Sequence, residues 1–356
     1  MRSPDHWPFS NPPTRRQFLK SSLCGGGILL LPTVPGPLQA APVDITRVSR
    51  MEFDITYSTT VSESPKGSKR LRLWMPIPPT GPDQAIEDFS VSSPVDYQIR
   101  SDRTYGNKIA FIEADARAAP FTIESRYRVV RRRSSVAPAT VENDALEKYL
   151  ALSPRVKVTE DIRSFTREVV GGERAAAAIG KRVFDALIDL LRYDKAILGC
   201  GTGDTEWIFK HRRGKCDDYH SLFMAMMISM RVPVRWEQGF PLPDPFVDGI
   251  DHGSLQGDCS GAHCWVSFLD RELGWVPVDV SEADKRPGLR DFFFGNLSAN
   301  RFKISEGRAI VLNPEQAGEP LNSLAYAYAE ADGIPLIYEA NYGNTIDYRV
   351  THVETL

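Results

Sequence analysis

Between Val43 and Val130 apolar residues recur at every second position, in Met51, Phe53, Ile55 and Tyr57, in Leu71, Leu73 and Met75, in Ile109 and Phe111, and in Phe121 and Ile123. Period two is the signature of strands with one buried face. Turn signals at Pro65-Lys66-Gly67, Pro78 to Pro82 and Tyr105-Gly106-Asn107 separate the runs. The pattern predicts an antiparallel β-sandwich-like domain over residues 42–133, with a structural or docking role. The period then lengthens. Residues 134–182 read as a linker region with helices over 144–150 and 159–170, and a third helix over 175–191 carries Val183, Phe184, Leu187, Ile188 and Leu191 on one face. A further helix starts near Cys216, where Tyr219, Leu222, Phe223, Met226, Met227 and Met230 follow helical spacing. Met224, Ala225 and Ile228 fill its other faces, so it is expected to be buried all round, and Pro233 ends it. Strands are predicted over 234–240, 264–269 and 275–280. The Pro/Asp/Gly-rich stretch 241–261 reads as a loop bordering a cleft. The strands after Arg286 are expected to complete this sheet and one wall of its groove. The fold class is α+β, with an α+β domain over 183–310 and a C-terminal β extension over 311–356.

Chemistry concentrates around the buried helix. Gly214-Lys215-Cys216 places a cysteine in the helix's first turn, where unpaired N–H groups and the helix dipole favour a thiolate. At an ordinary thiol pKa only about 3% would be ionised at pH 7, so a base is needed. His263 and Asp279 are the candidates for base and orienting group. Taken singly, each has a plainer reading: a core cysteine, a hydrogen-bonded strand histidine, a strand-end carboxylate capping a turn. Taken together, they describe a cysteine acyl-transfer site. The backbone N–H of Cys216 would help form the oxyanion hole. Trp207 is a candidate second donor through its indole N–H, with packing as its plainer role. Asp217 and Asp218 suit a helix N-terminus but oppose a thiolate. A structural zinc site is the alternative, since Cys216 and His220, and Cys259 and His263, are pairs spaced four apart. It leaves Asp279 unexplained, and Cys259 lies in a Ser/Gly-rich loop. The glycine-rich run Gly199 to Asp204 lacks a preceding strand and a following Lys-Ser/Thr, so nucleotide binding is discounted.

Gly214-Lys215-Cys216, His263-Cys264-Trp265-Val266 and Gly274-Trp275-Val276-Pro277-Val278-Asp279, in that order, resemble the motifs of the transglutaminase-like superfamily, most closely its bacterial members. The likeness is clear from about Phe184 to Asp284 and looser through Gly295-Asn296-Leu297 to Arg308. The resemblance implies a papain-like core with Cys216, His263 and Asp279 as its triad, and a peptide amide or isopeptide bond as acyl donor. It implies hydrolysis ahead of cross-linking to an amine. A transglutaminase-like module that only binds is a third reading, and the intact triad argues against it.

Composition alters this picture little: 42% apolar and 25% charged residues suit a globular protein with well-filled cores. The first 41 residues read as an export leader. Thr14-Arg15-Arg16-Gln17-Phe18-Leu19-Lys20 has the form of a twin-arginine signal, and an apolar stretch from Leu23 to Leu31 follows, too short to span a bilayer. An exported or periplasmic location follows. Without the leader the net charge moves from −3 to −6, which disfavours nucleic acid as a partner. The expected partner is a peptide or protein substrate, with the cell envelope as a source, and no cofactor or resident metal is called for. Among the remaining cysteines, Cys200 with Cys259 is the disulfide to test, because Cys264 should point to the face opposite His263.

Overall fold

The computed structural model describes residues 43–136, 138, 146–197, 199–245, 252–256 and 261–356. The expected leader and Cys259 lie outside these residues. The alternating segments form two five-stranded antiparallel sheets. In the first, strands run in the order 252–256, 342–355, 48–61, 121–132 and 84–92. In the second the order is 334–335, 328–331, 70–77, 108–115 and 97–101. Phe53, Ile55 and Tyr57 of the first sheet and Leu71, Leu73 and Met75 of the second share one apolar core, which makes this a sandwich.

Its composition departs from expectation at several strands. Tyr328–Ala331, Ile334–Pro335 and Tyr342–Thr355, expected to complete the sheet that holds His263, join the sandwich instead, and so does His252–Gln256 from the expected loop. Tyr342–Thr355 runs antiparallel to Val48–Val61, with Ile346 opposite Tyr57 and Tyr348 opposite Ile55. The reason lies in its alternation. Tyr342, Asn344, Ile346, Tyr348 and Val350 are buried while residues between them are half-buried or exposed, as suits a sheet with one wet face. The sheet that holds His263 demands more, since six successive residues from His263 to Phe268 are buried.

Among the described residues six α-helices follow the N-terminal sandwich strands: α1 (Glu147–Leu150), α2 (Glu160–Val170), α3 (Ala176–Leu190), α4 (Thr205–His211), α5 (Cys216–Ser229) and α6 (Val280–Lys285). Thr159 caps α2 by accepting from Ile162 N–H, and Gly171 closes it. Helix α5 is buried from Cys216 through Ile228, as its apolar pattern requires. It lies against α2, α3, α4, α6 and the strand His263–Asp270. That strand belongs to a four-stranded antiparallel sheet ordered 274–278, 263–270, 234–241, 301–306. Trp236, Val266 and Phe268 join the helical core, whereas Phe240, Phe302 and Ile304 join the sandwich core. Gly180 of α3 allows this packing, because a Cβ there would sit 2.5 Å from the Phe268 ring. No helix among the described residues is long and apolar enough to cross a membrane.

Candidate active site

The start of α5 is built by the acids that follow the cysteine. Asp218, three residues past the Lys215 N-cap, accepts from Lys215 N–H at 2.8 Å through Oδ2. Its Oδ1 accepts from the N–H groups of Thr202 and Gly203, each at 2.9 Å, and from Thr202 Oγ1 at 3.1 Å. The glycine-rich run therefore wraps a carboxylate of its own chain. Gly201 has φ +113°, and a Cβ there would lie 2.3 Å from Asp218 Oδ2, so side chains are excluded on both counts. Asp217 faces the other way, bonded to Arg308 Nη1 at 2.5 Å and to Asn322 Nδ2 at 2.8 Å. Burial outweighs the arginine and raises its pKa to about 6. Both acids expected to oppose the thiolate are thus engaged elsewhere.

Cys216 is the first residue of α5 and 3% exposed, so its own N–H is one of the helix's orphan donors. His263 opens its strand opposite Gly239, and its Nε2 donates to Asp279 Oδ2 at 2.7 Å. The ring and the Cys216 sulfur are close enough to raise the one pKa and lower the other, and with Nε2 engaged on Asp279, Nδ1 is the ring nitrogen left for sulfur. Asp279 ends the neighbouring strand and caps α6, its Oδ1 accepting from Glu282 N–H at 2.9 Å and Ser281 Oγ at 3.2 Å. Its Oδ2 also accepts from Arg301 Nη1 at 2.8 Å. Three sequence-predicted residues from three elements therefore meet in one buried chain of hydrogen bonds.

Hydrogen bonding from Cys200, then from Cys264, outweighs burial and, with the His263 imidazolium, holds the Cys216 thiol well below its ordinary range. Burial opposes charge on His263, yet Asp279 and the Cys216 sulfur raise its pKa to about 9. Burial first, then coupling to Cys216, pushes the Cys264 thiol up, leaving it protonated. Both shifts favour a thiolate beside an imidazolium.

His220, one turn along α5, is also buried, and burial lowers its pKa to about 4. Its Nε2 accepts from Val280 N–H at 3.0 Å and its Nδ1 meets Cys264 Sγ at 3.5 Å. A ring in that state holds the turn after Asp279 in place. Cys264 does alternate away from His263, as expected, but the face it reaches is the one that carries α5. It therefore stands beside Cys216 rather than apart from the site. Trp207, on α4, stacks on His211 with 4.4 Å between ring centroids and packs against the helical core. Of the four side chains in the zinc alternative, Cys259 lies outside the described residues. Both nitrogens of His220 and Nε2 of His263 are engaged as described. The sequence reading passed over Arg301 and set Cys264 apart from the site. A strand with no dry alternation break gives no sign that an arginine in it is buried.

These shifts set a pH window for stability. His263, raised from 6.5 to about 9, contributes stability that is complete below pH 6.5 and lost as pH rises through 9. His220, lowered from 6.5 to about 4, contributes stability complete above pH 6.5 and lost as pH falls through 4. Each is on the order of 3 kcal/mol. Melting temperature should peak between these limits, and His263→Asn should flatten the alkaline fall alone. An unchanged alkaline fall in that variant would contradict the assignment.

Residues 163–280, which contain Cys216, His263 and Asp279, match the transglutaminase-like superfamily. Over these residues the chain is similar to that superfamily's core. An uncharacterised protein of Haemophilus influenzae is 26% identical over 323 residues, covering 80% of this chain and 86% of its own. An uncharacterised Bacillus subtilis protein, YebA, is 26% identical over 83 residues, 23% of this chain and 11% of its own. In structure, a candidate cysteine protease from Cytophaga hutchinsonii aligns with a TM-score of 0.52 over 84% of this chain and 99% of its own, at 14% identity. The transglutaminase-like core thus shares its fold, flanking β elements included, with a protein of very different sequence. Arg301 and Arg308 lie beyond the matched residues yet bond Asp279 and Asp217 within them.

Proposed function

We propose that the protein is an exported cysteine acyl-transfer enzyme that hydrolyses peptide or isopeptide amide bonds through a thioester on Cys216. The observation that supports this reading is the continuous buried chain Cys216–His263–Asp279 at the start of α5. The Cys216 thiolate attacks the amide carbonyl, and the oxygen that gains charge is met by the Cys216 N–H. The tetrahedral intermediate collapses as His263 gives its Nδ1 proton to the leaving amine, which leaves a thioester and neutral imidazole. Water then attacks the thioester, His263 takes its proton, and the acid departs with thiolate and imidazolium restored. Asp279 holds the ring and stabilises its charge throughout, taking no proton itself.

Acyl fate is the point on which hydrolysis and cross-linking part. Peptide donors incubated with an excess of a labelled primary amine should release mainly free acid. Efficient amine incorporation with little acid would make the protein a cross-linking acyltransferase while leaving the Cys216 thioester in place. Export rests on Arg15-Arg16 and the apolar run behind them, which lie outside the described residues. Replacing both arginines by lysine should leave an uncleaved precursor in the cytoplasm, and normal processing of that variant would remove the proposal. The β-sandwich is assigned a docking or structural role.

A further inference from the structure

Asp279 divides its work between two oxygens. Oδ1 accepts from Glu282 N–H and Ser281 Oγ and so belongs to the α6 N-terminus. Oδ2 accepts from both His263 Nε2, at 2.7 Å, and Arg301 Nη1, at 2.8 Å. The base and an arginine therefore share a single acceptor oxygen. None of the three side chains is more than 4% exposed, so solvent does not screen the contest. Arg301 is itself held, by Ser298 Oγ at 3.2 Å from Nη2 and by the Trp265 ring 5.0 Å beneath its guanidinium. Trp265 in turn packs beside the His263 ring and donates its indole N–H to Glu237 Oε2 at 3.1 Å.

We propose that Arg301 is a positioning residue of the triad: by sharing Asp279 Oδ2, its guanidinium limits how tightly that carboxylate retains the imidazolium, so that His263 can release its proton to the leaving amine. The inference rests on the acyl-transfer reading above. In a dry site a carboxylate devoted to one imidazolium would hold it too well, making a poor general acid. The groups facing His263 are Cys216 and His220 from α5, Asp279 and Glu282 from α6, Cys264 and Trp265 from its own strand, and Arg301 from the strand Arg301–Glu306. Glu282 stands 3.9 Å from Nε2 and is paired with Lys285. Burial lowers the pKa of His220 to about 4 and keeps it neutral. Arg301 is the permanent cation bonded to Asp279 Oδ2.

The test compares the unsubstituted protein with Arg301→Met, Arg301→Lys, Asp279→Asn and the Arg301→Met/Asp279→Asn double variant. Two readouts are taken across pH: the rate of Cys216 alkylation by iodoacetamide, and kcat/KM for an amide substrate and its phenyl ester. In Arg301→Met the acid limb should move down and the alkaline limb up, each by about one pH unit, a tenfold change in either ionisation. Amide turnover should fall on the order of tenfold, while the ester, whose phenolate leaves unprotonated, should hardly change. Arg301→Lys should restore most of the amide rate, and in the Asp279→Asn background Arg301→Met should move neither limb. Unmoved limbs in folded Arg301→Met, an upward acid limb, equal losses on amide and ester, or the same shift without Asp279 would each overturn the inference. Should Arg301→Met fail to fold, Arg301→Gln decides in its place, because it removes the charge while keeping a polar side chain, and unmoved limbs in it refute the inference. If Cys216 of the unsubstituted protein is not alkylated ahead of Cys264, the acyl-transfer reading itself fails, and this inference with it. If Cys216 is alkylated first and the limbs stay put, the arginine inference alone falls.

Discussion

Replacing Cys216 by serine should reduce amide turnover by about 10⁴-fold or more while leaving the melting temperature nearly unchanged. The site is organised to make a thiolate, through sulfur neighbours, an imidazolium and a helix N-terminus. A hydroxyl with a far higher pKa gains too little from the same surroundings. The substitution is small and keeps a hydrogen-bonding atom where Cys216 meets Cys200 O at 3.8 Å. In the unsubstituted protein, iodoacetamide should label Cys216 well ahead of Cys264, whose thiol is pushed up and buried. His263→Ala should slow that labelling without abolishing the preference, because Cys200 and Cys264 still hydrogen-bond the sulfur. Residual turnover within tenfold of normal in Cys216→Ser would remove the cysteine from the mechanism.

Much of this site is legible in the sequence because its residues carry signals of different kinds that agree. The apolar run from Tyr219 to Met230 fixes a buried helix, the glycine two residues before Cys216 precedes it, and short apolar strands deliver His263 and Asp279. What escapes is governed by partners distant in sequence. The strands Gln84–Ser92 and Tyr97–Ser101 are largely exposed, so they carry little alternation to detect. The pairing of Tyr342–Thr355 with Val48–Val61 joins residues nearly 300 apart, and no local pattern names a partner. Cys264 reads as one more strand residue until α5 is known to cover its face. Arg301 and Arg308 look like solvated charges, yet each is 3% exposed, since each neutralises an acid that the site requires.

Asp279→Asn and Asp279→Ala should damage the protein in different ways, and the contrast tests the reading of the triad. Four donors converge on the carboxylate: Glu282 N–H, Ser281 Oγ, His263 Nε2 and Arg301 Nη1. An asparagine has one acceptor oxygen, so its NH₂ must face donors on one side. With the oxygen kept for the α6 cap, the NH₂ meets His263, which can bond it only by carrying its proton on Nδ1, towards Cys216. That tautomer cannot accept a proton from the thiol, and turnover should fall on the order of 10³–10⁴-fold. Alanine also leaves α6 uncapped, whereas in both variants Arg301 loses its partner at the Oδ2 position. The unpaired arginine costs both variants roughly 3–5 kcal/mol, and the lost cap costs alanine about 1 kcal/mol more, a few degrees in melting temperature. Asparagine should therefore be the more stable variant of the two while remaining nearly inactive, and both should retain more turnover than Cys216→Ser. Melting curves and steady-state rates on the three proteins decide it: an Asp279→Asn enzyme within tenfold of normal activity would mean that Asp279 caps α6 and does no more.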